Sequence, residues 1–474
     1  MPRRRFHLVA VTTDLGRTLA IQTAAGWLLP WLDDDPRTEL PAQVEAALRR
    51  VAGTSEMVHE APLASECVSD DVRHAACVAL IADPLESRDE GLAAVPHAAL
   101  MAAPALIPLQ RQAWLQAIGR LRAPIAPFDS GAQVRSALAW AEEQAAAHTQ
   151  ARVLTAVRHR CTRYEYVVRL DTTDGVVYLK AGPERAADEG VLTDLLWKLS
   201  PRHFPETLAL DIVRHRWLYR ELPGELLLGP HLTEGAAAAA VRALAVVQKR
   251  ALDAPLIERH LACRRLRAVD LFVRADAIVA DAWSGSAATS TSSAVTSERS
   301  SWRSAQGDVI DAWRAVRPVL GQACEELDRL GLPLTLVLSD FWPRNILVTP
   351  DGIGFIDVEQ SYWSYPFLSL ARFLREIERM LRVGPARIVQ AFTEAWADVV
   401  SPTTMARGLS FLPIVEGLFA TLLVSRESDL QAQGLGTALP DRCRKVSLVP
   451  LLRRLVDEAR RWEGRTVDGI VAGS

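Results

Sequence analysis

Lysine is nearly missing from this chain: among 54 lysines and arginines in 474 residues, only Lys180, Lys198, Lys249 and Lys445 are lysines. A lysine inside an apolar strand is therefore worth following. Cysteine is sparse too. The six cysteines (Cys67, Cys77, Cys161, Cys263, Cys324 and Cys443) form no C-x-x-C pair and no interleaved histidine spacing. This argues against a structural zinc site and a disulfide framework, and a reducing cytoplasmic setting is the expectation. No run approaches the roughly eighteen apolar residues that span a bilayer, and the apolar stretch after Met1–Arg5 is too short for a signal peptide. Nor is there a strong charge: the net value is -3 at pH 7, which gives no basic footprint for nucleic acid. The sequence carries no signal for oligomeric state.

What is present divides along the chain. Residues 1–130 read as an α/β unit, with FHLVAVTTD, RTLAIQTAAGWLLPWL and VRHAACVALIADP as strands and PAQVEAALRRVAG as a helix closed by Gly53. APIAPFDS carries two prolines and reads as a linker, and a helix across 131–150 leads into the next unit. Residues 151–222 are strand-rich: RVLTAVRHR, YEYVVRLDTT and VVYLKAG precede a helix, and RHRWLYREL follows it. Residues 223–474 are mostly helical, interrupted near 284–304 by a Ser, Ala and Thr stretch without periodicity that reads as a flexible surface insertion.

The informative segment is LPLTLVLSDFWPRNILVTPDGIGFIDVEQ, residues 332–360. An apolar strand ends at Ser339-Asp340, four residues precede Asn345, and a short hairpin then leads to Asp357. Asp340, Asn345 and Asp357 thus stand at strand ends, where a small hairpin can direct them to one place. Phosphoryl transfer needs such a set: one carboxylate takes the proton of the attacking hydroxyl, while a second carboxylate and an amide oxygen hold Mg2+ against nucleotide phosphates. A lone Asp and Asn in a hairpin ordinarily satisfy turn hydrogen bonds; the third residue at kinase spacing changes the balance. Upstream, Lys180 ends the apolar strand VVYLK, and Glu189 follows nine residues later in a helix. A buried lysine is costly unless paired, and this pair has the kinase order.

The Asp340 loop resembles the aminoglycoside phosphotransferase and choline kinase-like families, whose loop commonly reads H-G-D-x-x-P-x-N-I-L. Pro343 and Asn345-Ile346-Leu347 match as they stand. The resemblance covers about residues 151–400. It implies an α+β, bilobal protein-kinase-like fold, with a small β-rich N-lobe over 151–222 and a helical C-lobe over 223–474, behind the small α/β domain. It implies Asp340 as catalytic base, Asn345 and Asp357 as metal ligands, and Glu359 as a further acidic residue at the metal. It assigns Lys180, paired with Glu189, to the α- and β-phosphates of ATP or GTP, and backbone groups of Arg220, Glu221 and Leu222 to the adenine edge. The expected activity is transfer of the γ-phosphoryl group to a hydroxyl of an aminoglycoside, amino alcohol or sugar. A kinase for peptide Ser or Thr side chains and a pseudokinase scaffold are the alternatives, with neither nucleic acid nor membrane as partner.

Three departures stand out. Leu338 replaces the usual loop His, and Ser369 stands where the family carries an Asp in D-P-x-x-D-L-A. No glycine lies between the first two strands, where Arg158, Arg160 or Arg163 would have to supply positive charge. In the first unit, GWLLPWLDDDPRTELPAQVEAALRRVAG resembles a Nudix box with strand, Leu29-Pro30, loop, helix and glycine in order. Its glutamate positions hold Val51, Arg50 and Ala47, so such a module would be catalytically dead and serve binding.

Overall fold

The computed structural model describes residues 3–12, 17–24, 26–33, 43, 46, 59–69, 72–81, 92–103, 131–161, 166–182, 184–284, 297–382, 384–432 and 441–471. The chain is α+β and divides into two compact units: residues 1–191 with 206–221, and 192–205 with 222–474.

The first unit contains two sheets. Strands β1 (Arg3–Thr12), β2 (Arg17–Thr23), β3 (Gly26–Leu28), β4 (Trp31–Asp33), β5 (His59–Ser69), β6 (Val72–Ile81) and β7 (Leu92–Pro96) make a seven-stranded sheet, in which β1 lies parallel to β6. Ala47, Arg50 and Val51 of the Nudix-like segment lie outside the described residues, as does the linker at 123–130. Helix α1 (Gly131–Thr149) precedes a five-stranded antiparallel sheet of β8 (Val153–Cys161), β9 (Tyr166–Thr172), β10 (Gly175–Ala181), β11 (Thr207–Asp211) and β12 (Arg216–Arg220), in the order β11-β12-β10-β9-β8. Alternation builds this sheet: β9 is buried at every second residue, as a strand with one face on a core requires. Gly175 closes the β9–β10 turn at φ 112°, a value that favours glycine. Helix α2 (Glu184–Leu199) sits between β10 and β11 in the chain. Arg163 lies outside the described residues.

The second unit is mainly helical. Helix α3 (Glu234–Leu252) begins at Thr233, whose hydroxyl accepts the Ala236 N–H at 3.1 Å, an N-cap. Its buried stripe runs Ala237, Ala240, Val241, Leu244, Ala245, Gln248, Ala251, the spacing of one helical face, with a glutamine among the apolar residues. Helix Ala268–Ser284 and helix Ser297–Arg329 follow. The second of these starts inside the stretch read as an insertion, while residues 285–296 lie outside the described residues. Short strands β13 (Glu225–Leu226), β14 (Thr335–Leu338), β15 (Ile346–Thr349), β16 (Gly352–Phe355) and β17 (Ser361–Ser364) form two small sheets, β13-β15-β16 and β14-β17. Helix α4 (Leu370–Leu381) comes next. Phe341, Phe355, Phe367, Phe373 and Trp396 are fully buried in this core. Among the described residues, no single helix is long and apolar enough to cross a membrane.

Candidate active site

In the second unit, two antiparallel ladders set the positions of the site loops. Leu338 on β14 pairs with Ser361 on β17, and Ile346 on β15 pairs with Phe355 on β16. Loop 339–345 and loop 356–360 therefore leave the ladders side by side. Main-chain hydrogen bonds join them: Ser339 N–H donates to Gln360 O at 3.1 Å, and Ile356 N–H donates to Asn345 O at 3.0 Å. The Ser339 hydroxyl also donates to Gln360 O.

Asp340 is held from two sides. Asn345 Nδ2 donates to its carboxylate Oδ2 at 3.1 Å and to its main-chain carbonyl at 3.1 Å. Arg372, from the first turn of α4, donates through Nη1 to Oδ1. The Arg372 guanidinium also lies 3.9 Å from the centroid of the Trp342 ring, within cation–π range. Asn345 thus directs its amide nitrogen to Asp340, and its amide oxygen is the group left for a cation.

Asp357 occupies the left-handed region at φ 60°. Outside glycine that conformation is uncommon, with Asp and Asn enriched in it, and strained backbone of this kind gathers where a side chain must be aimed. Its carboxylate is exposed while Val358 beside it is buried. Glu359 is half-buried, and its carbonyl accepts from Arg264 Nη1 at 3.0 Å. Behind this loop, His203 fastens β16. Phe355 N–H donates to His203 O at 2.8 Å, and His203 Nδ1 bonds Ile353 O at 2.7 Å. Burial pushes the His203 imidazole below the ordinary histidine range, against the pull of that carbonyl, so the ring is the neutral donor.

Sequence reasoning missed how the Asp340 strand is anchored. Ser369 Oγ accepts the Leu338 N–H at 3.1 Å, two residues before Asp340. Gln248, fully buried, donates through Nε2 to Leu336 O and Pro366 O, both at 2.9 Å, and reaches Ser369 Oγ at 3.4 Å. The Thr335 hydroxyl donates back to Gln248 O at 2.6 Å. The departure at Ser369 therefore keeps an acceptor for the strand. The visible signal for Gln248 was one amide on an otherwise apolar helical stripe.

In the first unit, Lys180 and Glu189 meet. Nζ lies 2.9 Å from Oε1 and 2.7 Å from Oε2, with side chains 8% and 4% exposed. Lys180 stands opposite Trp217 in the β10–β12 ladder, its Nζ 5.8 Å from the Trp217 ring centroid. Gly190 permits the close approach of helix to sheet, since a Cβ there would lie 2.8 Å from Leu210 and 2.9 Å from Trp217. At the end of β12, Arg220 N–H donates to Glu206 O at 2.8 Å and Glu221 N–H to Val176 O at 2.9 Å. Of the three residues assigned to the adenine edge, these two spend their N–H groups on the protein. Leu222, in the second unit, keeps an N–H without a partner among the described residues.

No family model matches the sequence, and no curated protein matches it. Solved structures do. An ethanolamine kinase from Plasmodium vivax is 10% identical at a TM-score of 0.41, covering 63% of this chain and 82% of that one. An aminoglycoside phosphotransferase bound to ADP is 10% identical at 0.44, with 66% and 97% covered. A choline kinase from Streptococcus pneumoniae is 15% identical at 0.41, with 68% and 97% covered.

Proposed function

We propose that this chain is a nucleotide-dependent phosphotransferase that moves the γ-phosphoryl group of ATP or GTP to a hydroxyl of a small molecule. The observation that carries this reading is the Asp340–Asn345 hydrogen bond at 3.1 Å on a loop bonded to the segment bearing Asp357 and Glu359. The Asp340 carboxylate accepts the proton of the acceptor hydroxyl as that oxygen bonds to the γ-phosphorus. The bond from phosphorus to the nucleotide's bridging oxygen breaks, and the nucleoside diphosphate leaves. Asn345 and Arg372 each hold one oxygen of the carboxylate, which fixes its direction before substrate arrives.

The donor set suits a hard cation. The amide oxygen of Asn345 and the carboxylates of Asp357 and Glu359 are oxygen ligands of the kind Mg2+ takes. When bound, Mg2+ supplies neutralisation of the phosphate charge. We assign Lys180, fixed by Glu189, to the α- and β-phosphates, and the chain from Arg220 through Glu221 to Leu222 to the adenine edge, with the Leu222 N–H as the donor there. A peptide Ser or Thr would satisfy the same chemistry as acceptor.

Nucleotide with Mg2+ raises the melting temperature of the wild type, because a ligand of the native state at 100 times its Kd adds about 2.7 kcal/mol. Asp340→Asn keeps this shift and loses transfer by about 10²-fold or more, the scale of general-base catalysis. The readout is release of diphosphate together with an acceptor mass gain. Equal turnover in the variant overturns the base assignment; a thermal shift without transfer to any acceptor leaves a pseudokinase.

A further inference from the structure

Two cationic side chains gather at Trp342, two residues after Asp340. The Trp342 ring carries two guanidinium groups, Arg372 at 3.9 Å and Arg344 at 5.4 Å from its centroid. Arg372 spends Nη1 on Asp340, and among the described residues its other nitrogens have no hydrogen-bond partner. Arg344 is exposed and makes neither an ion pair nor a hydrogen bond among the described residues. The indole N–H of Trp342 is buried and also without a partner among them, an unspent donor on the residue that carries both cations.

Two carboxylates of the helices that follow are committed to ion pairs, while Asp357 and Glu359 are the ones assigned to the cation. Glu416 is taken by Arg375 and by Arg454 at 3.1 Å, and Glu376 by Arg379 at 2.6 Å. Burial lowers the Arg375 pKa, and the charges of Arg454 and Arg372 lower it further, the effect of crowding like charges. A guanidinium locked by stacking and one ion pair, with donors left over, is organised for a planar or tetrahedral oxyanion. An ammonium-bearing acceptor would instead meet guanidinium groups at the base.

We infer that the acceptor is an anionic hydroxyl compound, bearing a carboxylate or a phosphate that Arg344 and Arg372 bind while its hydroxyl reaches Asp340. The inference rests on the phosphotransferase reading and narrows it to an acceptor class opposite in charge to amino alcohols and aminoglycosides. Arg344 is the specificity-determining residue in this arrangement. Arg372 both binds the anion and positions the base.

The test uses the full chain with ATP and Mg2+ and four probes of similar size: glycerate, glycerol 3-phosphate, glycerol and ethanolamine. Calorimetric binding and transfer are measured for each. The expected result is saturable binding and transfer with one or both anions, at least about tenfold better than with glycerol or ethanolamine, the worth of a charge-assisted hydrogen bond. The better of the two anions identifies carboxylate or phosphate as the recognised group. Arg344→Gln raises the acceptor KM by about tenfold with kcat and the nucleotide-induced thermal shift unchanged, and Arg344→Glu moves the preference toward ethanolamine. Preference for ethanolamine in the wild type, binding of neither anion, or an Arg344→Gln effect equal for all four probes overturns the inference. Loss of the nucleotide shift in the wild type, with anion binding intact and sensitive to Arg344, instead defeats the phosphotransferase reading and leaves an anion site.

Discussion

Lys180 and Glu189 are a pair in which each charge depends on the other. Both side chains are nearly sealed from water, and taking either partner away leaves a buried ion without this counter-charge. Breaking such a pair costs about 3–5 kcal/mol, whereas replacing both by apolar residues of similar volume is often neutral or better. Lys180→Met should therefore lower the denaturant midpoint strongly, and adding Glu189→Leu should recover most of the loss. Urea unfolding of the two variants separates a structural from a functional role. The double variant regains stability but not the nucleotide-dependent thermal shift. A double variant that still responds to nucleotide removes the pair from the phosphate assignment.

At the scale of elements, His203 ties the chain before β11 to β16 through both its main chain and its ring. Its folded pKa lies below the ordinary value because burial disfavours the charged ring. On acidification the unfolded chain takes up this proton first. The stability it reports is full above about pH 6.5 and declines as pH falls through that value toward the depressed folded one. Denaturant midpoints measured between about pH 7.5 and 5.5 should fall in the wild type and fall less in His203→Gln. Identical slopes in the two proteins would mean that the ring stays exposed to solvent.

The same scale shows what could be read beforehand. Strands β9, β10 and β12 were legible because alternation and a Thr-Asp-Gly turn mark them locally. The Asp340 loop was legible because its spacing is fixed by the chemistry it serves. The short strands β11, β13 and β17 were not, since segments of two to five residues hold too little pattern and exist through their partners. Gln248, Ser369 and Arg372 escaped for a related reason. Each acts on a residue far away in sequence, and nothing local distinguishes a buried clamp from an ordinary polar side chain. Ser369 looked like a loss because an acid was expected there, yet the strand needs only an acceptor oxygen.

At the scale of the molecule, residues 1–130 are not a module appended to a separate sheet. Val9, Ala20, Leu29, Val95 and Leu100 belong to the same buried apolar cluster as Ala137, Ala141 and Ala145 of α1, and Tyr166, Val168, Leu179 and Leu218 of the five-stranded sheet. Arg216 reinforces the attachment of α1. It is 7% exposed, pairs with Asp211 at 2.9 Å, donates to Ser136 O at 3.0 Å and lies 4.6 Å from the Trp140 ring centroid. Removing residues 1–130 should therefore strip cover from the sheet that carries Lys180, at about 1.5–3 kcal/mol for each large apolar side chain returned to water. The shortened chain should melt earlier and bind a hydrophobic dye, even though it retains every residue assigned to the chemistry. Arg216→Ala in the full chain should act in the same direction and more weakly. A truncated protein that melts with the full-length one would mean that the shared cluster contributes nothing to the sheet, and that residues 1–130 are free to serve as an independent binding module.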